Sequence, residues 1–271
     1  MNARIFIIAL CFCFIAGCSN TYSSKSLSSS QKETLVFVHG AHLTGSSWQA
    51  VSNTLKAVGF DTLLVNLPGR DLTDKPNNIT LDVSSQALCN SMKTIHTPIV
   101  LIAHSQGGAV SNNALSICPK KNIRSIIYIA AVAPTDGDTP YSLLSKTDEF
   151  HYLKGIHYDE NSGWMTINNP TLFADVFTNS QSSAIKNKVM ASAVNEPAAI
   201  GEGVVHYDHE YFSTLDKFYI YTQFDKIISI PSQEKISRRI YIKKSAILAT
   251  GHLPMISSPE ILAQTIQSFL R

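Results

Sequence analysis

A serine set between small residues is where this chain could do chemistry: Ala103-His104-Ser105-Gln106-Gly107 follows the apolar run Pro98 to Ile102 and opens a stretch with helical spacing from Gly108. A strand that turns directly into a helix brings the two backbones nearly into contact, so positions two either side of the serine hold nothing larger than a methyl group. Ala103 and Gly107 satisfy that limit. A serine hydroxyl is a weak nucleophile until an adjacent base takes its proton, and the base needs a further group to orient it. The chemistry therefore calls for a histidine and a carboxylate. It also calls for two backbone N–H donors aimed at the oxygen that becomes negative in a tetrahedral intermediate.

The flanking segments read as alternating strands and helices. Thr34 to Val38 is a run of β-formers ending at His39-Gly40, and Ser46 to Val58 has helical apolar spacing with Gly59 as its stop signal. Thr62 to Leu67 is the next strand, and Leu81 to Thr94 is a helix with Thr80 as its cap. Pro98 to Ile102 is too apolar to have a wet face, as expected at the centre of a parallel sheet covered on both sides. Gly108 to Ile117 is the helix behind the serine, Ile123 to Ala131 a buried strand, and Phe218 to Thr222 and Ala246 to Thr250 are further strands. Ser258-Pro259-Glu260 starts a terminal helix, with proline in the first turn and serine as cap. Between Pro134 and Asp216 the alternation fails, and Tyr141, Phe150, Tyr152, Trp164, Phe173 and Phe177 are scattered among polar residues. This stretch reads as a cap inserted at about residues 135–215, with peripheral helices over a sheet edge as the alternative. A cap over the serine would supply apolar walls and exclude water.

The N-terminus has one positive charge at Arg4 and an apolar run from Ile5 to Ala16, shorter than the roughly 18 residues of a membrane span. It reads as a secretory signal over residues 1–17. Ile15-Ala16-Gly17-Cys18 resembles the lipobox of bacterial lipoproteins, which implies cleavage before Cys18, lipid attachment to it, and location in a bacterial cell envelope. Ser19 after the cysteine implies sorting to the outer membrane. Residues 18–32 are serine-rich and nearly devoid of apolar side chains, so they read as a tether. A flexible coil of that length holds the domain on the order of 20 Å from the lipid. The remainder of the chain, residues 33–271, suits one α/β domain with an insertion.

Cys11 and Cys13 leave with the signal, so Cys89 and Cys118 remain in the folded part. Secretion permits a disulfide between them, and each could equally be a small buried side chain. The net charge of +2, without a clustered Lys/Arg stripe, argues against nucleic acid as a partner. His206 and His209 with Asp208 and Glu210 resemble a metal cluster only in composition and read as a solvated stretch, so no metal is expected. Trp48 reads as core, His104 as packed against the serine turn, and His39 as shaping its own loop.

Four segments, in order, resemble the α/β-hydrolase superfamily: Val36-Phe37-Val38-His39-Gly40-Ala41, Ala103 to Gly108, Tyr219-Ile220-Tyr221 leading to Asp225, and Gly251-His252-Leu253-Pro254-Met255. Within it, the chain is similar to the small carboxylesterases related to plant methylesterases and hydroxynitrile lyases, over nearly all of Glu33 to Arg271. The resemblance implies an α/β-hydrolase fold: a mostly parallel twisted sheet with helices on both faces and an inserted cap. Ala103 departs from the family's first glycine in G-x-S-x-G. The family's chain order of serine, acid, histidine points to Ser105 as nucleophile, Asp225 as acid and His252 as base, with Asp136 and Asp138 as alternative acids. The implied oxyanion donors are the backbone N–H groups of Ala41 and Gln106. The lyases carry a lysine beside the catalytic histidine and a threonine after the first-strand histidine. Here those places hold Leu253 and Gly40, which favours ester hydrolysis, and Ser105 excludes a dehalogenase that needs aspartate there. The expectation is a lipid-anchored serine esterase, without cofactor, for small or medium esters with an apolar part. A thioesterase or acyltransferase with the same triad, or a slow-turnover ligand-binding receptor on this scaffold, are the alternatives.

Overall fold

The computed structural model describes residues 32–70, 75–118 and 122–270. The expected signal segment, Cys18 and all of the tether except Lys32 lie outside the described residues.

The first strand, β1 (Thr34–Val38), is buried at every residue, and the chain then passes through a 3-10 turn (Gly45–Trp48) into α1 (Gln49–Ala57). β2 (Asp61–Leu64), α2 (Leu81–Ser91), β3 (Ile99–His104), α3 (Gly107–Ile117) and β4 (Ile123–Ile129) come next in alternation. Thr80 caps α2, its hydroxyl accepting from Val83 N–H at 3.3 Å. β2 stops short of the expected Leu67 because the Leu67 N–H is taken by the His39 ring, at 3.1 Å, in place of a strand partner.

After β4 the chain leaves the sheet for a cap. It comprises α4 (Lys146–Tyr152), β5 (Ile156–Asp159), β6 (Trp164–Ile167), α5 (Pro170–Thr178), α6 (Ser183–Ser192), β7 (Glu196–Pro197), α7 (Ala199–Glu202) and α8 (His209–Thr214). Strands β5, β6 and β7 form a small antiparallel sheet that the sequence did not announce. The chain then resumes alternation with β8 (Asp216–Thr222), α9 (Ile230–Arg238), β9 (Lys244–Leu248), α10 (Pro254–Ser257) and α11 (Pro259–Phe269). Asp148 in α4 accepts hydrogen bonds from Ser229 N–H at 3.0 Å and from the Ser232 hydroxyl, tying the cap to the start of α9. Ser258 stands before α11, but its side chain makes no capping bond; its carbonyl accepts from Leu262 N–H at 3.1 Å.

The main sheet has the order β2-β1-β3-β4-β8-β9, and every neighbouring pair is parallel. This is an α/β-hydrolase fold. β3, Ile-Val-Leu-Ile-Ala-His, is buried throughout, which a parallel strand achieves only with helices on both faces. α1 packs on α11, and α2 on α3. Trp48 is fully buried with its ring centroid 5.1 Å from that of Phe37. Cys89 in α2 and Cys118 after α3 form a disulfide, resolving the choice the sequence left open. With a sequence separation of 29, the chain-entropy account gives such a link roughly 3–4 kcal/mol of stabilisation. Because β2 and β3 lie on opposite sides of β1, the loops after β1 and β3 diverge at the carboxyl ends of adjacent strands, where α/β sheets open a crevice.

Candidate active site

Ser105 sits at the end of β3 with φ of 50°, a left-handed conformation that only a well-determined turn sustains in a non-glycine residue. The determination is visible: Ser105 N–H donates to Ile129 O at 3.2 Å, while Ser105 O accepts from Gly108 and Val132 N–H at 3.0 Å each. The lack of a side chain two positions on is a packing requirement, since a Cβ at Gly107 would lie 2.6 Å from Val38 O. Gly40 on the neighbouring loop is equally constrained, because its Cβ would lie 2.7 Å from that of Ser105.

The three residues expected to act together are together. Ser105 Oγ lies 3.0 Å from His252 Nε2, and His252 Nδ1 lies 2.7 Å from Asp225 Oδ2. A carboxylate only accepts, so Nδ1 carries the proton and Nε2 is free to take one from the serine. Asp225 is caged by its own loop: the Thr222 hydroxyl donates to Oδ2 at 2.8 Å, and Ile227 and Ile228 N–H donate to Oδ1 at 2.7 and 2.9 Å. His104 Nε2–H donates to His252 O at 2.8 Å, bracing the loop that carries His252. Burial, then the charge of His252, hold the His104 pKa well below its ordinary value, so that ring is neutral.

Asp136 and Asp138 are placed elsewhere. Asp136 faces His206 Nδ1 at 3.0 Å and His209 Nε2 at 3.2 Å, and hydrogen bonds from these two rings lower its pKa. Asp138 pairs with Arg239 at 2.8 Å. Among the described residues no group of three or more His, Cys, Asp or Glu is arranged to hold a metal ion.

Ala41 and Gln106 line the same narrow chamber as Ser105, of about 30 Å³. Gln106 also immediately precedes α3, whose N-terminal end favours negative charge. His39 fixes the Ala41 loop: Nδ1–H donates to Gly40 O at 2.9 Å, and Nε2 accepts from Leu67 N–H. Burial, helped by the charge of Arg70, lowers the His39 pKa to about 3 and keeps it in that neutral form. Tyr141, Leu144 and Tyr152 of the cap wall this chamber and also a second cavity of about 240 Å³ that extends past Met165 to Glu149 and Glu202.

One buried group was not singled out from the sequence. Glu196 is fully buried in the cap, 2.6 Å from Arg70 Nη1. The available signal was a lone charge within Ala193-Val194-Asn195-Glu196-Pro197-Ala198-Ala199-Ile200, a stretch apolar enough to bury it.

Residues 35–265 match the model of the alpha/beta hydrolase family. A protein named "Putative methylesterase 14, chloroplastic" of Arabidopsis thaliana is 25% identical over 244 residues, covering 84% of this chain and 69% of that protein. A pFDCC methylesterase of the same plant is 29% identical over 48% of this chain and 47% of its own length, so the match spans about half of that relative. Among solved structures, an extracellular alpha/beta-hydrolase from a Paenibacillus species superposes with a TM-score of 0.73 at 21% identity, over 87% of this chain and 98% of its own. At that identity the likeness is one of fold.

Proposed function

We propose that this chain, which belongs to the alpha/beta hydrolase family, hydrolyses carboxylic esters through an acyl-enzyme on Ser105. The observation that carries the reading is the hydrogen-bonded line from Ser105 Oγ through His252 to Asp225. His252 Nε2 takes the Ser105 proton as Oγ bonds to the ester carbonyl carbon, and Asp225 stabilises the imidazolium that forms. The carbonyl oxygen, now negative, is met by the N–H groups of Ala41 and Gln106. Collapse breaks the bond to the alcohol oxygen, which receives the proton from His252 and departs. Water then repeats the sequence on the acyl-enzyme, giving its proton to His252 and releasing the acid with Ser105 restored.

The aromatic walls from Tyr141 and Tyr152, and the second cavity beyond them, suit an ester of small or medium size with an apolar arm. Among the described residues the charged side chains lining that cavity are Glu149 and Glu202, which disfavours an arm bearing a carboxylate or phosphate. The methylesterase relatives are named for this reaction class. The test offers p-nitrophenyl esters of increasing acyl length to the protein and to Ser105→Ala. Turnover should fall by about 10⁴-fold or more in the variant, and turnover that survives the substitution removes the proposal. Labelling of Ser105 by a fluorophosphonate without steady turnover would turn the reading toward a receptor.

A further inference from the structure

The backbone is left-handed at His42, with φ of 59°, one residue beyond the Ala41 donor. Such a conformation in a bulky residue persists only where its surroundings over-determine it. Here four hydrogen bonds do so, and all four come from the cap. His42 N–H donates to Glu196 Oε2 at 2.9 Å, and Val194 N–H donates to His42 O at 3.0 Å. The ring contacts are His42 Nδ1 to Val194 O at 3.0 Å and Nε2 to the Tyr152 hydroxyl at 3.2 Å. A carbonyl only accepts, so Nδ1 carries the proton and Tyr152 donates to Nε2. Burial, which lowers the His42 pKa to about 3, keeps the ring in that form.

Glu196 is the centre of this arrangement. Its side chain has 0% exposure, and its charge is met by Arg70, whose side chain is 9% exposed. The Gln106 amide approaches the same carboxylate, although Glu196 Oε1 has no aligned hydrogen-bond partner among the described residues. One cap carboxylate thus bonds the residue after one oxyanion donor and touches the side chain of the other.

We propose that Glu196 is a positioning residue that fixes the Gly40-Ala41-His42 backbone, so that the cap sets the aim of the oxyanion hole. The proposal rests on the esterase reading. A donor must sit at about 2.7–3.1 Å from the oxyanion, and losing one altogether costs about 10²–10³ in kcat. A displaced donor should therefore cost about 10- to 100-fold, in kcat and not in KM, because the charge it meets exists only in the transition state.

Two double variants separate the acceptor from the charge. Glu196→Gln with Arg70→Met removes both charges and keeps an amide oxygen for His42 N–H, so kcat should stay within about threefold of the parent's. Glu196→Leu with Arg70→Met also removes the acceptor, and kcat should fall about 10- to 100-fold with KM within about twofold. Affinity for a trifluoromethyl ketone, which mimics the tetrahedral state, should fall in parallel. Equal kcat in the two variants, or a loss confined to KM, overturns the proposal. If the leucine variant does not fold, Glu196→Asp keeps the charge but draws the carboxylate back by one methylene, and undiminished kcat there also overturns it. Hydrogen exchange over residues 40–43 gives a readout independent of turnover and should rise in the leucine or aspartate variant but not in the glutamine one. A parent protein inactive on every ester sinks the esterase reading, while the exchange result still decides whether Glu196 holds the loop.

Discussion

Asp225 and Glu196 are both buried carboxylates near Ser105, and they are held in opposite ways. Among the described residues Asp225 accepts four hydrogen bonds, from Thr222, Ile227 and Ile228, all within 3 positions of it, and from His252. Among the described residues Glu196 accepts one aligned bond, from a residue 154 positions away, and it leans on the charge of Arg70. Burial accordingly raises the Glu196 pKa, with Arg70 and His42 N–H opposing the rise. The contrast shows two routes to a buried charge. A tight turn supplies most of its donors locally, whereas a cap-borne carboxylate depends wholly on the docking of distant segments.

The largest expected effect tests the locally caged side. Asp225→Asn should leave the loop in place but hold His252 in the wrong tautomer, lowering kcat by about 10⁴-fold on a p-nitrophenyl ester. A loss under about tenfold would mean that Asp225 does not orient the base, and the comparison would fail.

The next effect lies on the cap-dependent side and is read in stability. Burial foremost lowers the pKa of His39 and of His42 from 6.5 to about 3. Between those values the unfolded chain binds more protons than the folded one, so stability falls as pH falls through that window. The slope is up to about 1.4 kcal/mol per pH unit for each ring. Glu196, whose pKa is raised, works in the opposite direction, since its protonation on acidification favours the folded form. Replacing His42 by Asn, which tolerates left-handed backbone, should reduce the slope of urea-unfolding free energy against pH by up to about 1.4 kcal/mol per pH unit, the share of one ring. An unchanged slope would show that His42 is not a buried neutral ring.

The smallest effect sharpens the comparison at one bond. Tyr152→Phe keeps the ring that packs 6.1 Å from Phe177 but removes the donor to His42 Nε2. It should cost about 1–2 kcal/mol in unfolding free energy. A neutral result would place the restraint on His42 in its backbone bonds to Glu196 and Val194.

Much of the sheet half was legible because its instructions are local. The serine turn declares itself through its small residues, since a Cβ at Gly107 would collide with Val38 O. The run Ile99–His104 is apolar on both faces, which only a central parallel strand requires. Asp225 was legible as a carboxylate directly after a strand, with Asp136 and Asp138 as rivals, and only distances set it rather than them beside His252. The cap was legible only as a failure of alternation. Its two-residue strand β7 is too short for any periodicity, and it is the strand that carries Glu196.

Spacing within the chain was enough to specify most of the strand–helix alternation of the sheet half, the serine turn and the residue types its chemistry needs. These depend on spacing over a few residues, where backbone sterics and apolar periodicity act. The folded arrangement was needed to show that Cys89 meets Cys118, that Asp225 and not Asp136 meets His252, and that Glu196 meets His42 and Arg70. Those pairings depend on where distant segments come to rest. A buried charge is stabilised by whatever neighbours the packing delivers, and no local pattern in the chain records them.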